Sequence, residues 1–217
     1  MINIAIDGPA GAGKSTIAKK IAKKLKIIYV DTGAMYRAFG LYCKRHNIKC
    51  SSDEVNSVLD KIDISIDYVD GEQQVLLNNE NVNEFIRNEE IGNMASEVSA
   101  NKNVRIKLVE LQRKLAKKQS VVMDGRDIGT YVLPEATTKI YLTASVDTRA
   151  KRRHMELQKK GIITDLQSTK DEITNRDNRD MNREFAPLKK ADDAIEIDTS
   201  HLSIDEVINK VISIIGK

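Results

Sequence analysis

The stretch near the amino terminus constrains the fold more than any other part of the chain. An apolar run over residues 3–6 leads through Asp7 into a glycine-rich segment ending in Gly-Lys-Ser-Thr, and apolar residues then recur at helical spacing. A glycine, four free positions and Gly-Lys-Ser between a strand and a helix form a phosphate-binding loop. The glycines let backbone N–H groups point at phosphate oxygens, and the helix adds its positive dipole end. The pattern predicts a polyphosphate site; a plain glycine-rich turn is the simpler alternative.

Two side chains of this loop and one distant acid are predicted to act together. Lys14 is expected to reach the β and γ phosphates, and the hydroxyl of Ser15 is expected to ligate a bridging Mg²⁺. A later apolar run over 120–123 ends in Asp124, where an acid at a strand end could hold the same ion. The predicted metal ligands are therefore Ser15 and Asp124. The residues predicted to bind the polyphosphate are Gly8, Pro9, Ala10, Gly11, Ala12, Gly13, Lys14, Ser15 and Thr16.

Strand and helix signals alternate along the chain and define its fold class. They predict a single α/β domain over 1–217, in which helices flank a parallel sheet and functional loops gather at the carboxyl ends of the strands. Between about 61 and 99 the apolar period changes to two around Asp70-Gly71, which predicts an antiparallel β-containing insertion. Two arginine-bearing helices over 148–183 predict a short helical lid, with plain Arg–Asp salt bridges as the alternative.

Composition and charge exclude few of the possible functions. The net charge is +3, which fits a small anionic ligand as well as a weak nucleic-acid contact. Lysines at 19, 20, 23 and 24 follow a helical face, which solvation explains without nucleic acid. Cys43 and Cys50 form no metal-binding or redox motif. The start of the chain carries no signal order and no apolar run is long enough to span a bilayer, so we expect a cytoplasmic protein.

Arginines are spread over several segments, and obvious nucleophiles are missing. The sequence has no cysteine paired with a histidine and no His-Glu metal motif, so covalent and zinc chemistry have no evident carriers. Arginine suits bidentate recognition of phosphate. In-line phosphoryl transfer needs cations and positioning far more than it needs a base. The residues therefore favour direct phosphoryl transfer.

Four motifs in order resemble the bacterial cytidylate kinase family, and the match runs essentially from end to end. They are the loop Gly8–Thr16, Asp31-Thr32-Gly33-Ala34-Met35-Tyr36-Arg37, Asp124-Gly125-Arg126-Asp127-Ile128-Gly129-Thr130, and the segment from Arg176 to Arg183. The insertion over 61–99 resembles the nucleoside monophosphate (NMP)-binding domain of that family. The resemblance implies that ATP, with Mg²⁺, phosphorylates CMP or dCMP. It also implies small-molecule partners without nucleic acid or membrane, and we expect a monomer.

The resemblance also implies roles for individual residues. Arg126 and Asp127 would read the cytosine, and Asp180 would face the sugar hydroxyls. An acid can accept from the amino group of cytosine, whereas uracil has an oxygen there. The acceptor would be bound by Thr32, Tyr36, Arg37, Ser96, Arg105, Arg126, Asp127, Asp180 and Arg183. Catalysis would involve Lys14, Arg126, Asp127, Arg176, Arg179 and Arg183, and the donor would also contact Arg149 and Arg153.

Other functions remain open at this point. A GTP-dependent switch needs an Asn-Lys-x-Asp guanine motif, but Asn101-Lys102-Asn103 is followed by Val104. A related kinase for another monophosphate or for shikimate would share the loop and differ in its acceptor pocket. A nucleic-acid-binding protein would rest on basic helices that lack interleaved aromatic residues.

Overall fold

A parallel sheet forms the centre of the molecule, which confirms the predicted α/β class. The computed structural model describes residues 1–216. In chain order the elements are β1 (Asn3–Asp7), α1 (Lys14–Leu25), β2 (Ile28–Asp31), α2 (Thr32–Arg45), a 3₁₀ helix (Asp53–Lys61), β3 (Ile64–Val69), β4 (Glu72–Leu77), β5 (Glu80–Asn81), α3 (Glu89–Val98), α4 (Lys102–Lys118), β6 (Val121–Asp124), a π-helical turn (Ile128–Val132), β7 (Thr138–Thr143), α5 (Val146–Lys159), α6 (Leu166–Asn182), β8 (Ile195–Asp198) and α7 (Ile204–Ile215).

The order of the strands brings three acids to one edge of the central sheet. The five strands lie in the order β2-β6-β1-β7-β8, and every neighbouring pair is parallel. In this register Asp124 lies beside Asp31 on one side and beside Ile6 on the other. Because Asp7 follows Ile6, the last residues of β1, β2 and β6 are all aspartates at the carboxyl edge. This is the edge at which parallel sheets carry their functional loops.

Apolar side chains cover both faces of the sheet. Residues of β6 alternate, so that Val121 and Met123 pack into one core while Val122 packs into the other. The first core also contains α2, α3, α4 and the small sheet, and the second contains α1 and α7. Burial on both faces explains why these strands read as continuous apolar runs. No helix within residues 1–216 combines the length and apolarity needed to cross a bilayer.

The period-two segment forms the predicted antiparallel sheet, in the order β3-β4-β5. Asp70 and Gly71 both have positive φ angles in the turn that joins β3 to β4. This small sheet contacts the edge strand β2 through the side chain of Gln73, which accepts from the N–H of Asp31 and donates to its carbonyl. After the small sheet, α3 begins at Glu89 and completes the inserted segment.

Candidate active site

The glycine-rich loop between β1 and α1 has the backbone that its sequence predicts. Gly8 has a φ of 144°, and a Cβ there would lie 1.9 Å from the carbonyl oxygen of Leu142 on β7. Gly11 and Gly13 also have positive φ angles, which glycine adopts without a steric penalty. Lys14 begins α1 and folds back over the loop, where its Nζ donates to the carbonyl of Pro9 at 2.7 Å. The loop is therefore built by backbone, with one buried amine across its mouth.

One elongated cavity of about 770 Å³ extends from this loop to the helices α3 and α4. It passes between the carboxyl edge of the sheet on one side and the helices α5 and α6 on the other. It brings together most of the residues predicted from the sequence: Ala10, Gly11, Ala12, Gly13, Lys14, Ser15, Thr16, Thr32, Tyr36, Arg37, Ser96, Arg105, Asp124, Arg126, Asp127, Arg153, Arg176, Asp180 and Arg183.

Ser15 and Asp124 meet beside the loop, as their predicted shared role requires. The Ser15 hydroxyl donates to Oδ2 of Asp124 at 2.7 Å, and the Tyr29 hydroxyl donates to Oδ1 at 2.9 Å. Burial, and then the charge of Asp31, raise the pKa of Asp124 to about 6. Mg²⁺ prefers oxygen ligands and binds through one or two protein groups together with substrate phosphates. The pair fits such an ion, and no cluster of three metal-binding side chains occurs within residues 1–216.

Positive charge is concentrated in the middle of the cavity. Lys14, Arg37 and Arg176 form no ion pair with any residue of the described chain. Burial, and then the neighbouring Arg126, lower the pKa of Lys14 well below its usual value, and the same two causes lower that of Arg176 to about 10. Burial also lowers the pKa of Arg37. Burial and the neighbouring cations outweigh the nearby carboxylates in lowering these pKa values, so the centre of the cavity suits a polyanion.

The far end of the cavity contains a buried acid between two arginines. Asp127 accepts from Nη2 of Arg105 at 2.5 Å through Oδ2, while its Oδ1 lies 3.4 Å from Nη2 of Arg183. Arg105 is only 1% exposed and also donates to the carbonyl of Ser99 at 3.2 Å. Buried polar atoms without a hydrogen-bond partner within the described residues include Ser96 Oγ, Arg105 Nε and Arg183 Nη2 at this end and Arg176 Nε in the middle of the cavity. A polar ligand that formed hydrogen bonds with these atoms would therefore gain binding free energy.

Other predicted residues lie between the two ends. Arg126 donates through Nε to Asp180 at 2.8 Å, which ties β6 to α6 across the cavity. The Thr32 hydroxyl donates to the carbonyl of Asp124 at 2.7 Å and so fixes the start of α2. The Tyr36 ring lies under the guanidinium of Arg105, with 5.4 Å from Cζ to the ring centroid. These contacts prearrange the cavity wall before any ligand binds.

Some predicted residues do not line the cavity. Arg149 is buried behind the loop, where it donates to the carbonyls of Ala10 and Ala144 and pairs with Asp177. Arg179 is exposed and lines a second, neighbouring cavity of about 500 Å³. Gly8 and Pro9 shape the loop without facing the main cavity.

The structure also identifies residues that the sequence pattern did not. Arg152 lines the cavity near α7 and donates to the Thr199 hydroxyl at 3.0 Å and to the Thr199 carbonyl at 2.6 Å. Arg87 lines the opposite wall and pairs with Asp31 at 2.9 Å. Asp177 accepts from the N–H of Ala10 at 2.9 Å and so ties the lid helix α6 to the loop. Only Asp177 had a sequence signal, since it lies one turn before Asp180 on the same helical face.

Solved structures share this fold at low sequence identity. A shikimate kinase from Bacteroides thetaiotaomicron matches 100% of this chain with 99% of its own, at a TM-score of 0.51 and 12% identity. A gluconokinase from Sinorhizobium meliloti 1021 aligns over 99% of this chain and 91% of its own chain, with a TM-score of 0.51 and 13% sequence identity. These similarities support a phosphate-binding-loop kinase fold and leave the acceptor open.

Sequence relatives are far closer. The family described as cytidylate kinase matches residues 4–217. A cytidylate kinase from Caldicellulosiruptor saccharolyticus is 55% identical, over 100% of this chain and 96% of the relative. A cytidylate kinase from Lactobacillus johnsonii is 51% identical over 100% of this chain and 95% of the relative. One from Bacillus cereus is 48% identical over 99% of this chain and 96% of the relative. The chain therefore belongs to the cytidylate kinase family and is a nucleoside monophosphate kinase.

Proposed function

We propose that this kinase transfers the γ-phosphoryl group of ATP to CMP or dCMP by direct in-line displacement. The observation that carries this proposal is the single cavity that joins the phosphate-binding loop to Asp127 past three cations that form no ion pair within the described residues. In the reaction an oxygen of the acceptor phosphate attacks the γ-phosphorus. The bond to the β–γ bridging oxygen breaks, and ADP leaves. The attacking oxygen is already anionic near neutral pH, so no general base is required.

The donor would occupy the end of the cavity near the loop. Backbone N–H groups and Lys14 would bind its phosphates, and Ser15 with Asp124 would hold Mg²⁺. When bound, that ion neutralises charge on the β and γ phosphates. Arg152 and the nearby Leu202 offer a flat guanidinium and an apolar wall, which together suit a purine ring. The adenine would therefore lie beside α7.

The phosphates of donor and acceptor would meet between β6 and α6. Arg37, Arg126 and Arg176 line that region, and Arg37 and Arg176 form no ion pair within the described residues. Their guanidinium groups would bind the acceptor phosphate and the charge that spreads over the moving phosphoryl group. Arg126 is held in place by Asp180 before the ligands arrive, so its guanidinium group would need little reorganisation during transfer.

The acceptor base would lie at the far end, against Asp127. Oδ2 of Asp127 accepts from Arg105, whereas Oδ1 lies 3.4 Å from Nη2 of Arg183 without a hydrogen bond between them and would accept from the amino group of cytosine. Ser96 and Arg183 have unsatisfied polar atoms that could reach the ring. Asp180 is already paired with Arg126, so the loss of the 2′-hydroxyl in dCMP would leave no buried acid without a partner. Both acceptors should therefore react. The cavity is complete within one chain, which favours action as a monomer.

An assay of ADP release with ATP and a panel of acceptors tests this function. We expect turnover of CMP and dCMP, turnover of UMP that is at least tenfold less efficient, and background rates with AMP and shikimate. Replacing ATP by GTP separates nucleotide preference from acceptor preference. Efficient turnover of AMP or shikimate, with CMP near background, would overturn the proposal.

A further inference from the structure

Asp7 is a buried acid that the proposed chemistry does not use. It ends β1, precedes the first glycine of the loop and is 5% exposed. Its two carboxylate oxygens accept two successive backbone N–H groups, those of Ile128 at 2.8 Å and Gly129 at 2.7 Å. These contacts connect residues 121 and 122 positions apart in the chain. Asp7 therefore links the start of the donor loop to the segment that follows Asp127.

The accepted N–H groups are the first two of the π-helical turn Ile128–Val132. The residue that precedes a helical turn is its N-cap, and an aspartate there usually accepts one of the free N–H groups through its own side chain. Asp127 occupies the N-cap position but makes no such bond. Its oxygens point instead at Arg105 and Arg183. Asp7 thus supplies, from another strand, the cap that Asp127 does not.

We propose that Asp7 is a positioning residue for acceptor selection. By binding the N–H groups of Ile128 and Gly129, it satisfies the turn and leaves the Asp127 carboxylate free to face Arg105 and the cytosine. This inference rests on the proposed reading of cytosine by Asp127. Without Asp7, the Asp127 side chain has an alternative partner in its own turn and loses its fixed direction.

Charges around Asp7 are consistent with this role. The groups that face it are Asp127, Lys14 and, on β7, Tyr141. Burial raises the pKa of Asp7 to about 7, and the two N–H donors partly offset this by stabilising the carboxylate.

A double-mutant cycle tests the proposal with Asp7→Asn, Asp127→Asn and the double variant. The readout is the ratio of kcat/KM for CMP to that for UMP, measured together with KM for ATP. We expect Asp7→Asn to lower the ratio about tenfold, the effect of one misplaced buried hydrogen bond. The double variant should match Asp127→Asn alone, because Asp7 acts through Asp127. Additive losses, or a change confined to KM for ATP, would overturn the inference.

Asp177→Asn is the matched control, because Asp177 is also a buried aspartate that accepts a backbone N–H, on the donor side. It should raise KM for ATP and leave the CMP to UMP ratio unchanged; an equal loss of the ratio would overturn the specific role of Asp7. If Asp127→Asn leaves the ratio unchanged, the proposed reading of cytosine fails, whatever Asp7→Asn does.

Hydrogen exchange in the unmodified enzyme provides a test that does not depend on a variant folding. The amides of Ile128 and Gly129 should exchange much more slowly than exposed amides of the chain, because Asp7 holds both. Fast exchange at both amides would overturn the proposed cap.

Discussion

Replacement of Asp127 by asparagine removes a negative charge from the acceptor end of the cavity and preserves the shape of the side chain. Arg105 can still donate to the amide oxygen, which leaves the NH₂ group where Oδ1 of Asp127 faces the cavity. That group could not form a hydrogen bond with the amino group of cytosine, because both are donors, but it could donate to the oxygen of uracil. The variant loses one buried hydrogen bond to cytosine and gains one to uracil. This changes the free-energy preference for CMP over UMP by about 1–3 kcal/mol. The preference for CMP over UMP in kcat/KM should therefore narrow by about 5–150-fold.

The asparagine variant is more informative than alanine for a structural reason. With alanine, Arg105 would remain 1% exposed with only the carbonyl of Ser99 as its partner, and breaking such a buried pair costs about 3–5 kcal/mol. The assay measures ADP release with CMP and with UMP at a fixed saturating ATP concentration, and thermal unfolding checks the fold. An unchanged preference in a variant with the parental unfolding midpoint would refute the reading of cytosine by Asp127.

Four further perturbations test other parts of the cavity. Lys14→Ala should lower kcat about 10³-fold, the scale of a lost transition-state cation, with an unfolding midpoint that does not fall; retained activity would contradict the loop assignment. Gly8→Ala should lower the free energy of unfolding by about 3 kcal/mol in a denaturant titration, because its Cβ would overlap the Leu142 carbonyl. Arg152→Ala should raise KM for ATP about tenfold, from a lost stacking contact of about 1–2 kcal/mol, without changing KM for CMP. Burial raises the pKa of Asp7 from 3.8 to about 7, so the folded state binds the Asp7 proton more tightly than the unfolded state does. Protonation of Asp7 therefore stabilises the fold at low pH, and this stabilisation is lost as pH rises through 7. Relative to Asp7→Asn, the free energy of unfolding should fall by up to about 1.4 kcal/mol per pH unit from pH 5 to 7, and a flat difference would contradict this shift.

The parts of the site carried by backbone-determined motifs could be predicted from the sequence. The spacing of Gly8, Gly13 and Lys14 requires a particular loop, and the apolar run that ends in Asp124 requires a strand beside it. The parallel register then places the Ser15 hydroxyl 2.7 Å from Oδ2 of Asp124. Local pattern and sheet geometry together leave few alternatives for these residues.

Long arginine side chains were harder to predict, because sequence gives their charge and not their partners. Arg149 and Arg152 lie on the same basic helix, yet Arg149 supports the loop from behind while Arg152 lines the cavity. The difference comes from Asp177, which pairs with Arg149, and from Thr199, which binds Arg152. Both partners are distant in sequence, and neither contact leaves a periodic signal.

The tertiary cap by Asp7 had no sequence signal for a similar reason. Asp127 at the start of a turn reads as an ordinary N-cap, and only the fold reveals that its carboxylate is directed elsewhere. The docking of the small sheet through Gln73 is equally invisible, because one glutamine side chain takes the place of a strand neighbour for Asp31.

The central claim is that one cavity holds a triphosphate donor and a cytidine monophosphate acceptor for direct transfer. Incubation of the enzyme with CMP and ATP labelled in the γ-phosphate tests it most directly, with the products separated over time. The label should appear in the β-phosphate of CDP in equal amount to the ADP formed, with none in free phosphate or on the protein. Label released as phosphate, or retained on the protein in the absence of CMP, would contradict direct transfer.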